Sequence, residues 1–302
     1  MSQSPNLGGL FTPATTDFAL NRLGFGAMQL TGPMVFGPPR DRDEAVAVVR
    51  EAVRLGMNHI DTSDYYGPHV ANEIIREAIH PYPDNLVIVT KVGAKRGPDK
   101  SWPHALSRED LTSAVHDNLR NLKLDAMQIV NLRVGGQLGP NEDSIVEPLT
   151  VLAELQAKGL IRHIGLSNIS PTQLAEGQKI AKIVCVQNHY NLAHRQDDRL
   201  IDALAAQGIA FVPFFPLGGF RPLNSPLLNE AAKSLGATYR QVALAWLLQR
   251  SPKILIIAGT SSVEHLHDNL KAASLKLPVE TVSQLDTIAA LAAQEQSKGP
   301  GQ

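Results

Sequence analysis

Residues 24–29 read Gly24-Phe25-Gly26-Ala27-Met28-Gln29, and two α/β architectures make different demands on such a stretch. A doubly wound dinucleotide-binding sheet opens with G-x-G-x-x-G, whose third glycine lets the first helix pack closely on the strand. This chain places Gln29 at that third position, so the fingerprint fails. The remaining chain reads as a closed barrel. Short, largely apolar runs recur at Phe25 to Met28, Asn58 to Asp61, Leu86 to Lys91, Met127 to Leu132, Arg162 to Leu166, Ile183 to Gln187, Ile209 to Phe215 and Ile254 to Ala258, giving eight candidate strands. Helical periodicity fills the intervals: Ala45, Val46, Val48, Val49, Ala52 and Val53 make one apolar face that ends at Gly56. Other helices carry start signals, Ser107 with Asp110 and Ser170 before Pro171, or end signals at Gly159, Gly208 and Gly236. Strict βα alternation with near-continuous apolar strands means a parallel sheet covered by helices, and eight units favour a single (β/α)8 TIM barrel. Its site is expected at the C-terminal ends of the strands.

The chain has 302 residues, 43% hydrophobic and 19% charged, with a formal net charge of −1. Such a balance gives no general attraction toward nucleic acid or an anionic membrane, so a small-molecule substrate is the expected partner. No composition shift or linker divides the chain. One domain over residues 1–302 is expected, with a flexible N-terminal segment at 1–17 and a flexible tail at 295–302. The stretches Thr31 to Arg40 and Gly93 to Pro103 read as insertions at one rim. The single cysteine, Cys185, lies in an apolar run and reads as packing in a reducing compartment. Met1 to Gly9 lacks a basic-then-apolar signal pattern, and no apolar run reaches the length of a membrane span. A soluble, cytoplasmic protein is expected, of a subunit number that the sequence leaves open. The ten histidines show no H-E-x-x-H spacing, so no metal is expected.

Chemistry gathers at two neighbouring strand ends. Asp61-Thr62-Ser63-Asp64-Tyr65-Tyr66-Gly67 follows the second strand, and Thr90-Lys91 ends the third. An Asp and a Lys at adjacent strand ends can pair, and a fixed ammonium can lower the pKa of a nearby phenol. Tyr66 would then act as the proton donor to a developing alkoxide. On spacing alone, a structural ion pair at the rim is the competing reading.

These residues, with Gly165-Leu166-Ser167-Asn168, Gln187-Asn188-His189-Tyr190-Asn191 and Gly259-Thr260-Ser261-Ser262, resemble the aldo-keto reductase superfamily over nearly the whole chain. The resemblance implies a (β/α)8 barrel that binds NADPH without a Rossmann fold and reduces an aldehyde. It assigns catalytic roles to Asp61, Tyr66 and Lys91. The family's histidine at the end of the fourth strand has no counterpart: Asp125-Ala126-Met127-Gln128-Ile129-Val130-Asn131-Leu132-Arg133 places Arg133 there, with Asn131 two residues earlier. Tyr66, Asn131 and Arg133 are the expected substrate contacts, and Arg133 could donate to the substrate oxygen, hold an anionic substituent, or pair with a rim carboxylate. For the cofactor, the resemblance implies that Ser167, Asn168 and Gln187 bind the nicotinamide carboxamide and that Phe214 stacks on the ring. Met28, Gln29, Asp61, Phe215, Leu217, Gly218, Gly259 and Thr260 complete that wall. Ser261, Ser262 and His265 would take the 2′-phosphate at a helix N-terminus, with Asp268 and Asn269 near the adenine. Many relatives carry Lys or Arg in this last segment, and residues 259–265 here hold neither.

Three strings are similar to the bacterial pyridoxal-reducing branch of that superfamily: Phe36-Gly37-Pro38-Pro39-Arg40-Asp41-Arg42, Val130-Asn131-Leu132-Arg133-Val134 and Val212-Pro213-Phe214-Phe215-Pro216-Leu217-Gly218-Gly219-Phe220. This implies reduction of pyridoxal to pyridoxine, a step of vitamin B6 metabolism. Reduction of another aldehyde or ketone, and a non-catalytic NADPH-binding regulatory subunit, stand as alternatives.

Overall fold

The computed structural model describes residues 5–136, 139–220 and 222–297. The expectations for residues 1–4 and 298–302 lie outside the described residues. A short antiparallel hairpin, β1 (Leu10–Phe11) with β2 (Leu20–Asn21), comes first. Eight parallel strands follow: β3 (Leu23–Gly26), β4 (His59–Asp61), β5 (Val87–Val92), β6 (Met127–Arg133), β7 (Ile161–Ser167), β8 (Ile183–Gln187), β9 (Ala210–Phe211) and β10 (Ile256–Gly259). Their order in the sheet is β10-β3-β4-β5-β6-β7-β8-β9. The two ends meet through a parallel bridge between Phe211 and Ile254, with Phe211 N–H donating to Lys253 O at 3.0 Å and Leu255 N–H to Phe211 O at 2.9 Å. The expected (β/α)8 barrel is therefore the observed fold.

The helices are α1 (Arg42–Arg54), α2 (Val70–Ile79), α3 (Arg108–Leu122), α4 (Val146–Ala157), α5 (Pro171–Gly177), α6 (Asp198–Gln207), α7 (Pro226–Ser234), α8 (Tyr239–Arg250), α9 (Val263–Leu270), α10 (Val279–Leu285) and α11 (Ile288–Ser297). The apolar stripe read from the sequence is the buried face of α1, whose Ala45, Val46, Val48, Val49 and Ala52 face the strands. The start signals act as expected. Ser107 accepts from the Asp110 N–H, and Ser170 and Gln173 form a reciprocal capping box ahead of α5, each cap worth about 1 kcal/mol.

Two apolar layers result. One lies between the sheet and the helices, and a smaller one fills the barrel interior with Val87, Val89, Ile129, Val184, Cys185, Val212 and Leu255. Phe11 of β1 and Phe18, just before β2, pack against this inner cluster. Cys185 is buried among these side chains, as its apolar context implied.

Two strands differ from expectation. The first runs Leu23–Gly26 and then turns into a 3-10 helix at Ala27–Leu30, because a short apolar run does not by itself distinguish a strand from a helical turn. The glycines of the failed fingerprint serve this strand's packing: a Cβ on Gly24 would lie 2.7 Å from His59 Nδ1, and one on Gly26 would lie 2.4 Å from Ile257 O. The seventh barrel strand is cut to Ala210–Phe211. Pro213 has no N–H to extend the ladder, although Phe214 N–H still reaches Asn188 O at 2.9 Å.

Candidate active site

The C-terminal ends of the strands surround a cavity of about 840 Å³. Parallel register sets Asp61 opposite Val89, and Lys91 lies farther along β5 and faces inward. The Lys91 ammonium reaches Asp61 Oδ1 at 2.5 Å and Thr62 O at 2.9 Å, while Gln187 Nε2 donates to Asp61 Oδ2 at 2.8 Å. Both ions are buried, at 2% exposure for Asp61 and 4% for Lys91. Removing either partner would strand the other charge, which typically costs about 3–5 kcal/mol.

Tyr66 follows β4 in a loop whose backbone is fastened by Tyr66 N–H to Ser63 O at 3.0 Å. Its ring centroid lies 5.2 Å from Lys91 Nζ. Here the structure corrects the expectation of a lowered phenol pKa. Burial pushes the Tyr66 phenol above its ordinary value, the Asp61 carboxylate pushes the same way, and Arg133 opposes them. The ammonium is already engaged by Asp61, so the carboxylate's field partly offsets the effect expected of the lysine alone. The result is a phenol that holds its proton. Tyr65 packs edge-on between Tyr66 and Trp102, at 5.3 and 5.6 Å, and burial raises its phenol to about 12.

Arg133 ends β6 opposite Ser167 and lines the cavity. Its guanidinium donates to Gly136 O at 3.3 Å, contacts Ser167 Oγ at 3.5 Å and lies 5.3 Å over the Phe214 ring. Asn131 is different. It is fully buried beside Gly165, accepts from Cys185 Sγ at 3.2 Å, and does not line the cavity. Packing inside the barrel sets it back from the opening, and Arg133 is the residue of this strand end that lines the cavity.

Of the expected cofactor residues, Met28, Gln29, Asp61, Gln187, Phe214, Phe215, Leu217 and Gly259 line the cavity. Gln187 Oε1 is a buried acceptor with no hydrogen-bond partner among the described residues, which suits a carboxamide N–H. Ser167 stands behind Arg133. Asn168 turns its amide outward, donating to Val134 O, Gly136 O and Gly139 O at 3.0, 2.7 and 2.8 Å, and thereby ties down the loop after β6. Gly218, Thr260, Ser261, Ser262, His265, Asp268 and Asn269 are not part of the cavity wall.

The start of α9 is already partly satisfied. Ser262 N–H donates to Thr260 Oγ1 at 3.1 Å, Val263 N–H donates to Glu44 Oε1 at 3.0 Å, and Ser262 caps the helix through His265 N–H. Asp268 is held by Gln241 Nε2 at 2.8 Å.

Sequence reasoning missed several wall residues. Trp102 and Lys100 come from the 93–103 stretch, His104 from the residue that follows it, Met34 from the 31–40 stretch, and Tyr239 and Arg240 from the start of α8. Arg96 joins the two stretches: it lies 3.8 Å over the Trp102 ring and 5.4 Å over Phe36, and donates to Met34 O at 3.0 Å. The Thr238–Gln241 capping box was a readable start signal for α8, and hence for Arg240. Among the described residues, no group of three or more His, Cys, Asp or Glu is placed to hold a metal, and no helix is long and apolar enough to cross a membrane.

Fold and site together define an oxidoreductase of the (β/α)8-barrel class. The sequence matches the aldo/keto reductase family over residues 22–290. It is 65% identical over 272 residues to pyridoxine 4-dehydrogenase of Escherichia coli K12, spanning 89% of this chain and 95% of that protein. Among solved structures, a thermostable aldo-keto reductase in complex with the inhibitor epalrestat superposes with a TM-score of 0.78 at 33% identity, covering 93% of this chain and 99% of that one. An aldo/keto reductase from Klebsiella pneumoniae in complex with NADP and acetate superposes with a TM-score of 0.73 at 25% identity, covering 90% and 92%. The chain belongs to the aldo/keto reductase family.

Proposed function

We propose that the protein reduces pyridoxal to pyridoxine with NADPH. The observation that carries this reading is the buried Tyr66 phenol at the cavity wall, 5.2 Å by its ring from the ammonium of the Lys91–Asp61 pair. The Escherichia coli relative supports the substrate, and the Klebsiella pneumoniae structure supports the cofactor. When bound, NADPH supplies a hydride to the carbonyl carbon.

The chain's own residues do the remaining work. Tyr66 donates its proton to the carbonyl oxygen as negative charge develops there. Lys91 stabilises the phenolate left behind, and Asp61 holds the ammonium in place. Gln187 Oε1 accepts from the carboxamide, with Ser167 beside it, and Phe214, Phe215 and Leu217 wall the nicotinamide. Met28, Gln29 and Gly259 continue that wall toward α9, where Ser261, Ser262 and His265 face the 2′-phosphate. Arg133 meets the acidic phenol that pyridoxal carries beside its aldehyde, a charge-assisted contact. We read the chain as one soluble, cytoplasmic domain acting on a small aldehyde.

The test is to mix purified protein with pyridoxal and follow NADPH and, separately, NADH by absorbance, with Tyr66→Phe alongside. Pyridoxal-dependent NADPH oxidation that vanishes in Tyr66→Phe is the expected result. Inert pyridoxal with brisk turnover of other aldehydes would remove the substrate. Cofactor binding without turnover of any carbonyl would favour a regulatory subunit.

A further inference from the structure

Behind the cavity wall lies a buried polar cluster that the reaction does not touch. Asp61 and Lys91 point into the barrel, whereas Thr62 and Thr90, their chain neighbours, point outward toward α2 and α3, as the strand period requires. That layer elsewhere packs apolar side chains of strands and helices. Here Thr62, Asn72, Thr90 and Asn118 are all fully buried, at 0% exposure.

The four form one connected chain. Thr62 Oγ1 donates to Asn72 Oδ1 at 2.8 Å, Asn72 Nδ2 donates to Asn118 Oδ1 at 2.9 Å, and Thr90 Oγ1 donates to the same Asn118 oxygen at 2.5 Å. Asn118 Nδ2 donates to Ala114 O at 2.8 Å. Asn72 Nδ2 also donates to Asp64 Oδ1 at 2.9 Å, an oxygen that takes a second hydrogen bond from Asn121 at 2.8 Å. Asp64 Oδ2 lies 2.6 Å from His69 Nδ1. Every side-chain polar atom of Asn72 and Asn118 is thus engaged. A cluster of this kind tolerates little displacement, because a buried polar atom that loses its partner costs about 1–3 kcal/mol.

Its three attachment points matter more than its size. Thr62 follows Asp61, Thr90 precedes Lys91, and Asp64 sits in the turn that ends at Tyr66. Ser63 adds a fourth tie, its hydroxyl donating to Lys91 O at 3.1 Å. We infer that Asn72 and Asn118 form a clamp that fixes the spacing of Asp61, Lys91 and Tyr66 from outside the barrel, and that they are positioning residues for the proton transfer. This rests on the reading of Tyr66, Lys91 and Asp61 given under the proposed function. A merely structural cluster would hold α2 and α3 on the sheet and leave the chemistry unchanged.

The two outcomes separate in isosteric variants. Thr62→Val and Thr90→Val each remove one hydroxyl and keep the branched shape, and Asn118→Leu removes the hub at similar volume. The assay is pyridoxal reduction by NADPH, with cofactor affinity read from fluorescence titration, melting temperature from scanning, and kcat followed across pH. Each threonine variant should lose about tenfold in kcat, with KM for pyridoxal and Kd for NADPH within twofold of wild type. The double threonine variant should lose no more than the worse single, because both cut the same chain. The alkaline limb of the kcat profile should also move, since the Asp61–Lys91 spacing sets the field at Tyr66.

Lower melting temperatures with unchanged kcat and an unchanged pH limb would reduce the clamp to packing. If Asn118→Leu does not fold, the threonine variants decide alone. A Tyr66→Phe variant that keeps wild-type turnover would overturn the reading of the site, and the clamp with it. Wild-type rates in the threonine variants beside an inactive Tyr66→Phe would overturn the clamp only.

Discussion

The guanidinium of Arg133 lies 5.3 Å over the ring of Phe214, and that ring stacks on His189 at 5.5 Å with a tilt of 13°. A fixed cation is thereby laid along the cavity wall at the strand end where the family resemblance had pointed to a histidine. An imidazole there would offer a single neutral donor. Arg133 brings a permanent charge and a planar fork, which suits an anionic substituent better than a bare carbonyl.

Arg133→Leu should therefore separate two kinds of aldehyde. For pyridoxal, which presents a phenolate, kcat/KM should fall roughly 10- to 100-fold, the loss of a hydrogen bond to a charged group. For an aromatic aldehyde without the phenol, such as benzaldehyde, the loss should be severalfold smaller. Equal losses on both would assign Arg133 to the carbonyl oxygen or to the fold.

Tyr66→Phe should abolish most of the turnover, by about 10²- to 10⁴-fold, the usual contribution of a positioned acid. NADPH affinity should stay within twofold, because the phenol faces substrate. The wild-type pH profile follows from the upward shift of this phenol, caused first by burial and then by Asp61. A raised pKa keeps the donor protonated to higher pH, so the alkaline fall in kcat/KM from Tyr66 should lie above the ordinary phenol value of about 10. An alkaline limb at pH 7–8 that disappears in Tyr66→Phe would contradict this burial effect.

Much of this was legible in the residues. The barrel could be read because eight apolar runs alternate with capped helices, and because Gln29 breaks the rival fingerprint. Asp61, Lys91 and Tyr66 could be read because neighbouring parallel strands bring their ends together. What was not legible depends on tertiary packing. The sign of the Tyr66 shift needed the burial and the Lys91–Asp61 contact, which no spacing supplies. Asn131 shares a strand face with Arg133, yet only the packing beside Gly165 and Cys185 reveals that it is sealed away. Trp102 and Arg240 joined the wall unannounced, since loops and helix starts are aimed by contacts distant in sequence.

Gly26 offers a test of the barrel seam. A methyl group there would meet Ile257 O at 2.4 Å, backbone that cannot step aside without parting β3 from β10. Gly26→Ala should destabilise the protein by about 1–3 kcal/mol, the range for forced overpacking. Because Gly26 also lines the cavity, NADPH affinity should drop in the same variant. Denaturant unfolding and cofactor titration on one preparation would check both, and a wild-type midpoint would show that the seam can open at no cost.

Glu44 bears on the choice between NADPH and NADH. Its carboxylate accepts from Val263 N–H at 3.0 Å, at the start of the helix proposed to face the 2′-phosphate. Two anions near one helix N-terminus repel, and the helix start can favour either of them by only about 0.3–1 kcal/mol. Glu44→Gln keeps an acceptor for the Val263 N–H and removes the charge. NADPH should then bind roughly two- to fivefold more tightly, with NADH unchanged, since only the former carries the extra phosphate. The measurement is a pair of fluorescence titrations at low and high salt, because a charge effect should shrink as salt rises. Equal gains for both cofactors would place the phosphate elsewhere on the cavity rim, with Arg240, a fixed cation of that wall, to test next.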